Sequence, residues 1–295
     1  MKKVLFILAG VLIGHFAQAQ NLITHYSYQL NWFNINPGFA AIEPGLTAVV
    51  NPHTQWVGMD GNPTNSMFGL YGQYGDNMGL GAKIIVDKRG YFSNFSAEGV
   101  YAYTAKIDEQ SSLNFGISMG LYQTRLNTQD LINDQYTDAS DPTVTTLYFD
   151  ESQFLSGFGM VYQNKELTLG VSAPHLIVTG RPISDHLFFI AGYKFDVPES
   201  KLKIAPSIVH QNITRSPSIT DLGIAFEWDQ KAWFKFVQRT NRTSVFAMGF
   251  NVNQFRFSYA YSLASRAMSG ASSGSHELGI IMNFSAFNFQ TNTVD

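Results

Sequence analysis

The 295-residue sequence contains no cysteine. Disulfides, thiol catalysis and lipid attachment at an N-terminal cysteine are therefore excluded. Charged residues make up only 14% of the chain, too few to cover the outward faces of an ordinary soluble domain. A formal net charge of −3 without any polybasic run gives no footing for nucleic acid, and no nucleic-acid partner is expected. After the first residues, no apolar stretch approaches the ~20 residues that a spanning helix needs. His-Glu-x-x-His and Gly-Lys-Ser/Thr signatures are missing, and with them the common zinc-peptidase and phosphate-loop readings. No cofactor is expected.

What is present begins with MKKVLFILAGVLIGHFAQAQ. Lys2 and Lys3 precede an apolar run from Val4 to about Phe16, and Ala17-Gln18-Ala19 forms a small-x-small cleavage site. Residues 1–19 read as a secretory signal peptide, with the mature chain starting near Gln20. The run is too short to serve comfortably as a retained anchor. Export of a cysteine-free chain points to the periplasm or outer membrane of a Gram-negative bacterium.

Period-two alternation dominates the remainder. In 253–265 the rings of Phe255, Phe257, Tyr259 and Tyr261 alternate with Arg256, Ser258, Ala260 and Ser262. In 76–87 Met78, Leu80, Ala82, Ile84 and Val86 alternate with Gly79, Gly81, Lys83 and Asp87; residues 111–122, 221–228 and 243–251 repeat the pattern. A large apolar face opposite a small or polar one marks a transmembrane β-strand with its apolar side in lipid, so outer-membrane lipid is an expected partner. An arginine on the lipid face would cost about 2 to 4 kcal/mol at mid-membrane, which sends Arg256 into the lumen. A soluble β-sandwich also alternates but carries more outward charge.

About fourteen such strands fit between 46 and 284, an even number as single-chain bacterial barrels require. Short turn-rich connections near 75, 107, 164, 196, 229 and 252 alternate with longer ones near 53, 126–152, 172, 211 and 263. Short periplasmic turns and longer outer loops would sort in this way. Tyr74, Tyr103, Tyr162, Tyr193, Trp228 and Trp233 lie near the short turns and are expected to form a periplasmic aromatic girdle. The fold class is thus all-β, a transmembrane antiparallel barrel over 46–295. Pro37, Gly38, Pro44 and Gly45 keep 34–45 out of any sheet, so 20–45 is a periplasmic lead-in or a lumenal plug.

Several motifs in order resemble the PorP/SprF family of outer-membrane proteins of type IX secretion and gliding motility. They are NPGFA at 36–40, QWVGMDGNPT at 55–64, GLGAKIIVDKRG at 79–90, YAY at 101–103 and SHELGI at 275–280. His53, where a basic residue is expected before Gln-Trp, and Gly38-Phe39 after Asn-Pro depart from the pattern. The resemblance implies a non-enzymatic role, assisting export or surface attachment of specific cargo proteins by docking machinery or cargo C-terminal domains. Other secretion and gliding components and the cargo itself are the implied partners. Asn36, Pro37 and Gly38 would meet machinery; Gln55, Trp56, Gly61, Pro63, His276 and Glu277, with the loop 263–274, would meet cargo. The alternative is a passive porin or hydrophobic-solute transporter.

Chemical candidates are few. His210 and His276 beside Glu277 are the only rim histidines worth weighing for catalysis, and neither has a recognisable partner set. Asp130, Asp134, Asp138, Asp141, Asp150 and Glu151 make an acidic loop whose spacing is not that of an EF-hand; a solvated surface loop explains them better than calcium. Lys83, Glu98, Glu227 and Arg256 are expected lumen charges, with Lys83 and Glu98 close to one rung of neighbouring strands.

Overall fold

The computed structural model describes residues 28, 31–138, 140–142, 144, 150–178, 186–213, 217–264 and 270–284. The expected signal peptide, residues 1–19, lies outside these, as do residues 265–269. The strands are β1 Leu46–Thr54, β2 Thr64–Tyr74, β3 Met78–Arg89, β4 Phe92–Lys106, β5 Ser112–Leu126, β6 Asp150–Gln163 and β7 Leu167–Val178. Next come β8 His186–Tyr193, β9 Phe195–Asp196, β10 Leu202–Ile213, β11 Ile219–Trp228, β12 Ala232–Arg239, β13 Ser244–Val252, β14 Phe255–Ser262 and β15 Ser275–Phe284. β8 and β9, separated by Lys194 alone, both pair with β10 and form one stave, so the fifteen segments make fourteen staves. Every neighbour pairing is antiparallel, and β1 against β15 closes the barrel. Among the described residues no helix is long and apolar enough to cross a membrane.

Side-chain alternation explains why these segments hold as strands. In β3 the residues Leu80, Ile84 and Val86 face outward while Gly79, Lys83 and Asp87 are buried within. β5 presents Ile117, Met119 and Leu121 outward, the last 61% exposed, and keeps Asn114 and Ser118 inside. An apolar band continuing around the wall would be an aggregation surface in water; in lipid it is solvated. Phe250, Phe255 and Phe257 stack on that outer surface, and Arg256 points to the lumen.

Two expectations change. Trp233 does not join the outer girdle, whereas Tyr103 and Trp228 do face out. Its parity on β12 places it with Lys235, Val237 and Arg239 on the inner face, where it packs with Val237, Val245, Ala247 and Ala260. Strand β7 also runs on to Val178 through Pro174, into the stretch near 172 expected to be a longer connection. The register slips between Ser156 and Phe158 opposite that proline, and β7–β8 pairing stops at Ser172 and Phe188. Proline is tolerated there because the missing N–H falls at a bulge.

Inside the barrel lies the segment before β1. It contains two short 3₁₀ helices, Trp32–Asn34 and Pro37–Ala41, the second capped by Asn36, whose Oδ1 accepts from Gly38 N at 2.9 Å. Phe33, Ala40 and Ala41 join Val49, Met67, Tyr71, Val100, Ala102 and Ile281 in one buried cluster. Tyr28 and Ile35 join Phe188, Ile190 and Val209 in another. The segment therefore spans the lumen from one wall to the other.

Candidate functional site

The plug sits on a wall cleared of side chains. A Cβ on Gly79 would come within 2.6 Å of Ala41 Cα, and one on Gly116 would collide with the Pro37–Gly38 peptide. These inward glycines let backbone meet backbone. Polar contacts then fix the register. Asn36 Nδ2 donates to the carbonyls of Met160 and Val171, each at 3.2 Å, and Ser172 Oγ donates to Ile35 O at 2.7 Å. Phe33 stacks on Tyr71 with ring centroids 4.2 Å apart.

Charge couples the plug to the wall at two places. Lys83 and Glu98 are register partners, Nζ and Oε1 are 3.2 Å apart, and Lys83 also donates to Asn34 O at 3.3 Å. On the opposite side Tyr28 OH donates to Asp221 Oδ2 at 2.5 Å, and Arg239 grips the same carboxylate through Nε and Nη2, both at 2.7 Å. Burial, and then the Asp221 carboxylate, holds the Tyr28 phenol well above its usual pKa, so it stays a donor. Tyr28→Phe is expected to cost about 1.5 to 3 kcal/mol, the range for a hydrogen bond to a charged group, read as a lower urea midpoint of the detergent-solubilised barrel. The Asp221–Arg239 pair escaped the sequence reading, although Arg239 and Lys235 alternate with Phe234 and Phe236 as lumenal residues should.

The expected site residues fall into three places. Asn36, Pro37 and Gly38, the expected machinery contact, are buried in the lumen, where they fasten the plug. Glu227 lies 3.5 Å from Lys194, and Arg256 donates to Asn251 Oδ1 at 3.3 Å; both line a cavity at the short-turn end of the lumen. Gln55, Trp56, Gly61, Pro63, His276 and Glu277 gather at the opposite rim, where β1 meets β15, with Thr54 in register with His276 and His53 with Glu277. Glu277 faces inward and is buried.

That rim is held by backbone. Gln55 N donates to Pro63 O and Val57 N to Gly274 O, both at 2.8 Å, and Ser273 N returns to Val57 O at 2.9 Å. Between these bonds Trp56 adopts φ 48°, a left-handed conformation unusual for a bulky residue, and its side chain remains exposed. A strained residue held so firmly at a rim is a functional candidate.

Chemical readings find little support. His210 Nδ1 meets Thr220 Oγ1 at 2.8 Å and His276 Nδ1 meets Tyr259 OH at 2.7 Å. The stretches 116–120 and 270–274 fit Gly-x-Ser-x-Gly, but the first lies within β5 and the second in a loop before β15, so neither makes the strand-to-helix elbow that exposes a nucleophile. In the acidic loop Asp130 is bound by Asn127 at 2.6 Å and Asp150 by Arg125 at 3.1 Å. Among the described residues no three His, Asp or Glu side chains stand together to hold a metal.

Comparison with known proteins adds the following. Residues 17–282 match the family described as type IX secretion system membrane protein PorP/SprF. No curated protein matches the chain. Among solved structures, the Pseudomonas putida toluene transporter TodX aligns at 11% identity over 90% of this chain and 95% of its own, with a TM-score of 0.49. The Acinetobacter baumannii outer membrane protein Omp33 aligns at 6% identity over 82% and 99%, with a TM-score of 0.48.

Proposed function

The chain belongs to the PorP/SprF family of type IX secretion system membrane proteins, and from that premise we propose that it is a sealed docking component of the outer membrane. The barrel and the family are those of a secretion or channel-like membrane protein and of no known enzyme class. The reading is that the outer rim at the β1–β15 seam receives cargo, through its C-terminal domain, or another secretion or gliding component. The barrel itself does not conduct it. One observation carries this reading: the lumen is filled by 31–45, anchored on both walls, while the rim beside it is rigid and exposes Trp56. A rigid aromatic presented at little further ordering cost is what a docking hot spot needs.

Trp56→Gly separates docking from stability. Glycine adopts a positive φ freely, so the substitution is expected to leave the unfolding midpoint unchanged or slightly raised while removing the ring. Co-purification of cargo and machinery with the tagged barrel should fall about tenfold or more, the loss expected of a hot-spot aromatic. Undiminished co-purification from a folded Trp56→Gly barrel would remove the rim from the proposal.

A further inference from the structure

At the short-turn end of the lumen, below the plug, is a cavity of about 350 Å³. It is of ligand-site size, within roughly 300–1,000 Å³, and opens between turn residues such as Asn164 and Lys165. Its walls are aromatic, from Trp32 and Phe33 of the plug and Tyr71 and Trp233 of the barrel. Lys235 extends into it from β12 and is only 6% exposed. Among the described residues its ammonium has neither an ion-pair partner nor a hydrogen-bond acceptor.

A buried ammonium is ordinarily paired, because stripping its hydration without replacement is costly. The acids on the same face are already engaged. Asp221 is gripped by Arg239 and Tyr28, and Glu227 by Lys194. Arg256, a second, half-buried cation of the cavity, has among the described residues the neutral Asn251 as its one hydrogen-bond partner. Among the cavity residues Lys165, Lys194, Lys235 and Arg256 face Glu43, Glu166 and Glu227, and four cations against three carboxylates leave one positive charge. Glu43 is exposed, and Glu166 accepts from Tyr193 OH at 2.5 Å.

We infer that this cavity is a binding site for a small organic monoanion, a carboxylate on an aromatic or apolar body, entering from the periplasmic mouth. The carboxylate completes Lys235 and takes the open N–H groups of Arg256, whose planar fork suits it, while the rings cover the body. The same chemistry is offered by the terminal carboxylate of a peptide and by a free aromatic acid. The inference stands apart from the secretion reading, since it rests on the lumen alone.

Trp32 and Trp233 in the walls supply the signal. The purified full-length barrel in detergent would be titrated with N-benzoylglycine, with the tripeptide Ala-Ala-Phe, and with the amide of each, following tryptophan fluorescence and calorimetric heat. At least one acid should bind and its amide should not. Binding of the tripeptide acid alone assigns the site to a chain terminus, and binding of N-benzoylglycine alone or of both to a small acid. Lys235→Gln should weaken the acid about tenfold or more, the loss of a charge-assisted contact, while Lys106→Gln, an exposed lysine outside the cavity lining, leaves it unchanged. Equal titration by acid and amide, or no binding by either acid, overturns the inference; this comparison uses the unaltered protein and decides even if Lys235→Gln fails to fold.

Discussion

Excision of residues 28–41 from the mature chain is expected to turn a silent barrel into a conducting one. Eight-stranded barrels are filled by their own side chains, whereas porins of sixteen to eighteen strands enclose water. At fourteen staves the wall alone leaves room, and here the room is taken by chain. Phe33, Ala40 and Ala41 pack against residues of β1, β2, β4 and β15, and Tyr28 and Ile35 against β8 and β10. The inward face of the opposing wall is glycine at 79, 81 and 116, so once the segment is gone no bulky side chains remain there to replace it. In planar bilayers the intact protein should show no steady conductance, and the excised form discrete openings. Steady conductance from the intact protein would favour the passive-porin alternative.

The second large effect concerns Glu98. The Lys83 and Glu98 side chains are 4% and 1% exposed, and the neighbouring acid Asp87 is already held by Asn94 and Arg89. Glu98→Ala would leave Lys83 with the single carbonyl of Asn34. Breaking a buried pair from one side costs about 3 to 5 kcal/mol, because the surviving charge stays desolvated. Replacing both, Lys83→Met with Glu98→Leu, is expected to recover most of that loss, apart from about 1 kcal/mol for the bond to Asn34. Urea unfolding of the three proteins in the same detergent checks both values. A double variant as unstable as the single one would mean that Glu98 acts through something other than Lys83.

Much of the wall was legible because a membrane barrel writes its inside and outside into alternate residues. Arg256 between Phe255 and Phe257, and Lys83 between Ala82 and Ile84, admit one orientation in lipid. The same rule misplaced Trp233 only where proximity to a turn was weighed above parity with Lys235. The stretch from 172 reads as a longer connection, whereas the strand runs on through Pro174 to Val178, and the sequence carries no sign of the bulge that accommodates the proline. The destination of the plug was left open for a different reason. Prolines and glycines at 37, 38, 44 and 45 exclude a strand, but docking against Gly79 and Gly116 is a contact between distant segments that no local pattern records. The rim assembled from Trp56 and Gly274 follows from closure of β1 on β15, which is likewise a property of the whole barrel.

Sealed docking in type IX secretion is tested most directly by quantitative proteomics of the medium and the cell surface in a strain lacking this gene, against its parent and a complemented strain. The expected result is selective loss of one or a few cargo proteins from those fractions, restored by the intact gene, with bulk secretion preserved. Unchanged medium and surface proteomes would contradict it.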